Sequence, residues 1–214
     1  MDSIKKIPNA LTKKQLILFD LDGVLIDSKR NMEIAWSEVC KIHQLAVNFE
    51  DYFSNIGRPF KDILDILNIK KNQSGIEQTF NDISTQFLNE VNYYTGVEAT
   101  LEYLVKKDIK TGIVTSKNTV KTNKVLNLIS FDFDIVQTPN STLQGKPEPD
   151  HIIYAMSMLN IDLKHTLYIG DMKVDYLAAK GANIDYMHAG WGYGAPLNER
   201  VTVLNSITEL MNYF

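Results

Sequence analysis

Leu16-Ile17-Leu18-Phe19-Asp20-Leu21-Asp22-Gly23-Val24-Leu25-Ile26-Asp27-Ser28 is the stretch that decides the fold. An apolar run of strand length ends in two carboxylates one residue apart, followed at once by glycine. If the strand continues that far, its period of two points Asp20 and Asp22 to the same side. Gly23 then lets the chain turn sharply over them. Two carboxylates held about 4 Å apart repel by about 4 kcal/mol at an effective dielectric near 20. Such a pair makes sense if a cation joins them, or if one acid is protonated for part of a reaction cycle.

Four later segments resemble this strand: Lys110–Thr115, Phe133–Thr138, Thr166–Gly170 and Ile184–His188. Most are short, apolar and poorly alternating, the pattern of strands buried on both faces of a parallel sheet. Helical patterns separate them, over Val97–Lys107, Asn118–Leu128, Pro149–Met158 and Met172–Lys180. Pro149 suits a first helical turn because its φ is fixed. Ser206-Ile207-Thr208-Glu209 reads as a capping box opening a last short helix. Strand and helix alternate, which predicts an α/β fold with a doubly wound, Rossmann-like parallel sheet.

One region breaks the alternation. Between Asp27 and Tyr94 only helical patterns occur, over Met32–Ile42, Phe60–Leu67 and Ile76–Val91. The expected organisation is a catalytic core of residues 1–26 plus 95–214, with an all-helical cap of residues 27–94 inserted after the first strand. Such an insert hangs over the carboxyl ends of the strands, where ligands bind in open α/β sheets; the alternative is that it covers the sheet edge and only completes the core.

Bulk properties narrow the field. The chain has 214 residues, 44% of them hydrophobic, and a formal net charge of -4. Nothing in that charge calls for nucleic acid or an anionic membrane surface, and no apolar run is long enough to span a bilayer. Cys40 is the only cysteine, so no intrachain disulfide forms; it reads as a buried structural thiol in a reducing compartment. Lys5, Lys6, Lys13 and Lys14 read as a solvated lead-in rather than a signal peptide. His43, His151, His165 and His188 are scattered without ligand spacing.

Four groups fall at or just beyond predicted strand ends: Asp20 with Asp22; Thr115-Ser116; Lys146 in Gly145-Lys146-Pro147-Glu148-Pro149-Asp150; and Asp171 with Asp175. Each alone is weak, since an acid after a strand is often a helix cap. In this order, on this alternation, the chain resembles the haloacid dehalogenase-like hydrolases, in the branch with a helical cap after the first strand. By motif it looks most like phosphoglycolate phosphatases, pyrophosphatases and β-phosphoglucomutases.

The resemblance implies roles. Asp20 is the nucleophile, forming an aspartyl-phosphate. Asp22 is the general acid and then base, needing a pKa moved toward neutrality. Thr115 and the backbone of Ser116 hold the phosphoryl oxygens, and Lys146 pairs with those oxygens and with Asp20. Mg²⁺ is held by Asp20, Asp171 and the backbone carbonyl of Asp22, with Asp175 behind them; an all-oxygen site shared with phosphate suits Mg²⁺. Asp22 itself favours phosphatase or phosphomutase chemistry over the dehalogenases. Arg58, extended before Pro59, and Lys117 are the candidates for binding the substrate body. The glycine-rich segment Ala189–Gly194 also resembles the phosphatases.

The expected protein is a cytoplasmic, Mg²⁺-dependent phosphatase of a small phosphorylated metabolite, with no nucleic-acid or membrane partner, a monomer or weak homodimer. The alternatives are a phosphomutase of the β-phosphoglucomutase type and a non-catalytic binding protein on the same fold.

Overall fold

In the computed structural model the described residues are 13–128, 131–195, 197 and 201–214. Lys5 and Lys6 lie outside them. The first strand, β1 (Leu16–Phe19), is wholly buried. Leu16 and Leu18 enter one hydrophobic cluster, Ile17 and Phe19 the opposite one. This explains why β1 does not alternate in sequence: both faces need apolar side chains. Each fully buried aliphatic there contributes about 1.5–3 kcal/mol.

After β1 come β2 (Ile26–Asp27), α1 (Lys29–His43), α2 (Phe49–Phe53), α3 (Phe60–Ile66), α4 (Gln73–Gln86), β3 (Asn92–Tyr93), α5 (Val97–Lys106), β4 (Lys110–Val114), α6 (Thr119–Leu126) and β5 (Ile135–Gln137). Then follow α7 (Asp150–Leu159), β6 (Thr166–Gly170), α8 (Lys173–Gly181), β7 (Asp185–Ala189) and β8 (Thr202–Leu204). The main sheet has six strands in the order β5-β4-β1-β6-β7-β8, every pair parallel. Val97, Leu101 and Leu104 of α5 and Val125 of α6 cover one face. Ile152, Ala155 and Met156 of α7 and Ala178 and Ala179 of α8 cover the other. This is the doubly wound α/β sheet. Its chain direction reverses at β1, which lies between β4 and β6, so the carboxyl ends of three strands meet at one crevice.

Residues 29–86 fold differently. Helices α1–α4 pack round their own cluster, including Met32, Trp36, Tyr52, Ile63 and Phe80. Trp36 stacks on Tyr52 with centroids 4.3 Å apart. Asn31 is buried on α1 and donates to the carbonyls of Ser84 (2.8 Å) and Phe87 (2.7 Å), tying α1 to the end of α4. The chain enters and leaves this unit through an antiparallel ribbon, β2 against β3. The sequence reading has only helices there, because strands of two residues carry no periodicity. Met172 and Tyr193, from the sheet side, pack against the helical cluster.

Three local expectations change. Lys14 is not solvated: it is buried, donates to the Lys164 carbonyl at 2.8 Å and pairs with Asp185. Cys40 is half-buried rather than buried, with its thiol donating to the Val47 carbonyl at 3.2 Å. The closing helix, Ile207–Tyr213, is a 3₁₀ helix in which Ser206 makes no cap bond; Glu209 instead accepts from the backbone and side chain of Asn205. Among the described residues, no helix is long and apolar enough to cross a membrane.

Candidate active site

β1, β4 and β6 end side by side, and their next residues are Asp20, Thr115 and Asp171. β1 stops at Phe19, so Asp20 and Asp22 lie beyond the strand, and their carboxylates have separate partners. Asp20 is buried and faces the Lys146 ammonium at 2.9 Å. Asp22 accepts from Ser28 Oγ and pairs with Lys117 at 3.0 Å. Gly23 has φ +84°, and a Cβ there would run into the Asp171 carboxylate. A side chain is therefore excluded at that turn both conformationally and sterically.

Lys146 reaches the site from the loop before α7. It is buried between two acids, Asp20 at 2.9 Å and Asp175 at 2.6 Å, and also contacts Tyr168 Oη at 3.3 Å. Burial pulls its pKa down, but the Asp175 and Asp20 carboxylates outweigh that and hold it above the ordinary lysine value. Asp20 shows the reverse balance. Burial raises it, Lys146 pulls it back, and Asp175 and Asp22 raise it again, to about 7. Asp171, also buried, is raised well above the usual carboxylate range by burial and then by Asp175 and Asp20.

Asp20, Asp171 and Asp175 bring carboxylate oxygens within 4.8 Å of one another. Asp175 has both oxygens engaged, one by Lys146 and one by the Met172 backbone N–H at 2.9 Å. Asp171 accepts from the Tyr193 backbone N–H at 2.7 Å through Oδ2, while its buried Oδ1 has no hydrogen-bond partner. A buried carboxylate oxygen without a donor, beside two further acids, is the environment a hard cation completes. The donor set fits a divalent metal.

Thr115 is buried, and its hydroxyl oxygen accepts from the Lys117 backbone N–H at 3.1 Å. Ser116 Oγ donates to the Gly57 carbonyl at 2.7 Å, a bond from the sheet side to the loop before α3. A cavity of about 220 Å³ opens between the sheet ends and the helical unit. Asp20, Asp22, Thr115, Ser116 and Lys117 line one side, and Arg58, Phe60 and Phe80 the other. The structure thus brings the sequence candidates to one crevice. Asp171 and Asp175 are buried next to Asp20, outside the cavity lining.

Several contributors escaped the sequence reading. Tyr168 donates to the Val114 carbonyl at 3.0 Å beside Lys146, yet in a buried strand it reads as one more apolar residue. Tyr193 belongs to the glycine-rich segment: its N–H holds Asp171, and its hydroxyl accepts from the Ser28 N–H at 2.7 Å. Trp191 of the same segment donates to the Val24 carbonyl at 3.0 Å. Ser28 and Lys121 carry no motif at all.

The haloacid dehalogenase-like hydrolase family profile matches residues 17–189. A pyrophosphatase PpaX of Bacillus velezensis is 32% identical over 181 residues, covering 82% of this chain and 82% of that protein. A phosphoglycolate phosphatase of Colwellia psychrerythraea is 29% identical over 210 residues, covering 88% and 91%. Among solved structures, a haloacid dehalogenase-like family hydrolase from Streptococcus pneumoniae superposes with a TM-score of 0.82 at 22% identity, covering 94% and 98%. The chain belongs to the haloacid dehalogenase-like hydrolase family. It is an enzyme, a phosphatase of that family.

Proposed function

We propose that this protein is a Mg²⁺-dependent phosphatase that moves a phosphoryl group from a small cytoplasmic metabolite to Asp20 and then to water, acting as a monomer or weak homodimer. The observation that carries the reading is the pairing of Asp20, on the cavity lining, with Lys146, next to an Asp171 oxygen that has no hydrogen-bond partner among the described residues.

Asp20 attacks phosphorus through the oxygen turned to the cavity; the ester bond breaks and an aspartyl-phosphate forms. Lys146 neutralises Asp20 and draws the phosphoryl oxygens, which limits repulsion as two anions approach. Thr115 keeps its hydroxyl proton for a phosphoryl oxygen, because its lone pair already holds the Lys117 N–H. Asp22 gives a proton to the leaving oxygen and later takes one from the attacking water; Ser28 and Lys117 fix its carboxylate. Asp20, Asp171 and the Asp22 backbone carbonyl hold the metal, and Asp175 orients Lys146 behind them. When bound, Mg²⁺ supplies positive charge that keeps Asp20 ionised and attracts the phosphate.

Residues 27–94 act as the cap. The ribbon of β2 and β3 is its stem, and the Ser116–Gly57 bond closes it on the core. Closure keeps bulk water out during phosphoryl transfer. Arg58 on the cap binds the substrate body, as does Lys117 from the core. The Ser116 backbone assists the phosphoryl oxygens.

The test is free-phosphate release from a panel of small phosphomonoesters and pyrophosphate, with Mg²⁺ and with a chelator. Release from one or a few compounds that stops on chelation is expected. No release from any compound overturns the reading.

A further inference from the structure

Among the described residues, the chemistry above leaves one buried charged group of the cavity unused. Lys121, in the first turn of α6, lines the cavity and is only 4% exposed. Its backbone N–H is pinned by the Asn118 side chain at 2.9 Å. Among the described residues, its ammonium has no ion pair and no hydrogen bond. It sits over the face of Phe80 on the helical wall, 4.7 Å from the ring centroid. Every other lysine lining the cavity is satisfied: Lys117 by Asp22 and Lys61 by Asp65. Lys146, buried outside the lining, has Asp20 and Asp175.

A buried ammonium without an ion pair is costly. Burial, and then repulsion from Lys117, hold its pKa well below the ordinary lysine value, and the attraction of Asp22, itself paired with Lys117, only partly offsets them. An anion entering the cavity removes that cost. The charge balance of the walls points the same way. Besides Asp20 and Asp22, Glu77 is the one carboxylate on the lining, and Arg58, on the same helical wall, has no ion pair among the described residues. The cavity's small volume, about 220 Å³, keeps any second charged group of a substrate near Lys121.

We infer that Lys121 binds a second anionic group on the substrate, a carboxylate or a phosphoryl group at the end that is not transferred. The inference rests on the phosphatase reading for its substrate and adds a specificity determinant on the core side. The rival explanation is a latch: Lys121 on Phe80 merely joins the core to the helical unit.

Phosphoglycolate, pyrophosphate and ethyl phosphate separate these explanations. The first two carry a second anion, as carboxylate and as phosphoryl; the third has a neutral end. For the intact protein, kcat/KM is expected to favour at least one acid-bearing compound over ethyl phosphate by at least about tenfold. In Lys121→Met that preference is expected to shrink at least about tenfold, mainly through KM, and Lys121→Arg restores most of it. Whichever acid-bearing compound loses more names the anion. The ligand-free Lys121→Met protein is expected to melt no lower than the parent, since an unpaired buried charge has gone. An unchanged preference in Lys121→Met overturns the inference. So does an equal fall for all three compounds together with a lower melting temperature, which is the latch. If none of the three is hydrolysed, the wider panel of phosphomonoesters tests the phosphatase reading separately. Calorimetric binding of the same compounds to the parent and to Lys121→Met then decides the inference: binding of an acid-bearing compound that is tighter than that of ethyl phosphate and depends on Lys121 supports it, and equal binding overturns it.

Discussion

The two walls of the cavity are built on different principles. On the sheet wall the charged groups interlock: Asp20, Lys146 and Asp175 are buried and paired, and Lys117 locks Asp22. On the helical wall the lining is largely apolar, with Phe60 and Phe80 5.0 Å apart; Arg58 and Glu77 are half-buried there, and Lys61 is exposed and paired with Asp65. The sheet wall hangs on strand ends fixed by parallel register, so small displacements are resisted by the whole sheet. The helical wall hangs on a two-residue ribbon and its own separate core. The comparison teaches a division of labour: the rigid wall sets the reaction and, through Lys117 and Lys121, holds part of the substrate, while the separately packed wall sets what else fits.

Substitutions in the Asp20–Lys146–Asp175 network should therefore act on turnover, those on the helical wall on substrate affinity. The largest effect is expected for Asp20→Asn. Loss of the nucleophile should cut kcat by about 10⁴-fold or more, with an unchanged circular dichroism spectrum. Full activity in that variant would falsify the nucleophile assignment.

Lys146→Met comes next. It leaves Asp20 and Asp175 buried without their shared cation, so urea melts should show a loss of about 3–5 kcal/mol. Activity should fall at least about a hundredfold with it. A variant that keeps its stability would mean that the buried triad is not what fixes the sheet wall.

A pH series reads the same triad without turnover. The folded pKa of Asp20 is about 7, above its ordinary 3.8. Its contribution to stability is thus fully present below about pH 4 and is lost as pH rises to about 7. Asp171 is shifted in the same direction. The melting temperature of chelator-treated protein should accordingly drop between pH 5 and 7.5, and drop less in Asp20→Asn. Added Mg²⁺ should raise it more at pH 7.5 than at pH 5, because protons compete for the carboxylates. A Mg²⁺ response that is absent, or equal at both pH values, would remove the metal from this site.

The smallest effect belongs to the helical wall. Arg58→Ala should raise KM about fivefold to thirtyfold, the loss of one charged hydrogen bond worth about 1–2 kcal/mol, with kcat within about threefold. A fall in kcat instead would show that the two walls do not divide the work.

What the sequence alone determined is local or periodic. Buried strands read as apolar runs because both faces are covered, and acids after such runs read as strand-end residues. Hence the sheet and the positions of Asp20, Thr115 and Asp171 were legible from 214 letters. The short ribbon and β8 were not, because two or three residues carry no period. Tertiary structure alone decided that Asp20 shares one buried ion network with Lys146 and Asp175, each more than a hundred residues away from it along the chain. It also decided that, among the described residues, Asp171 keeps one oxygen without a hydrogen-bond partner and Lys121 lines the cavity without an ion pair. Such relations depend on the reversal of strand order at β1, which brings distant loops together. Charge compensation in a buried site is set by distances through space, and a sequence records only distances along the chain.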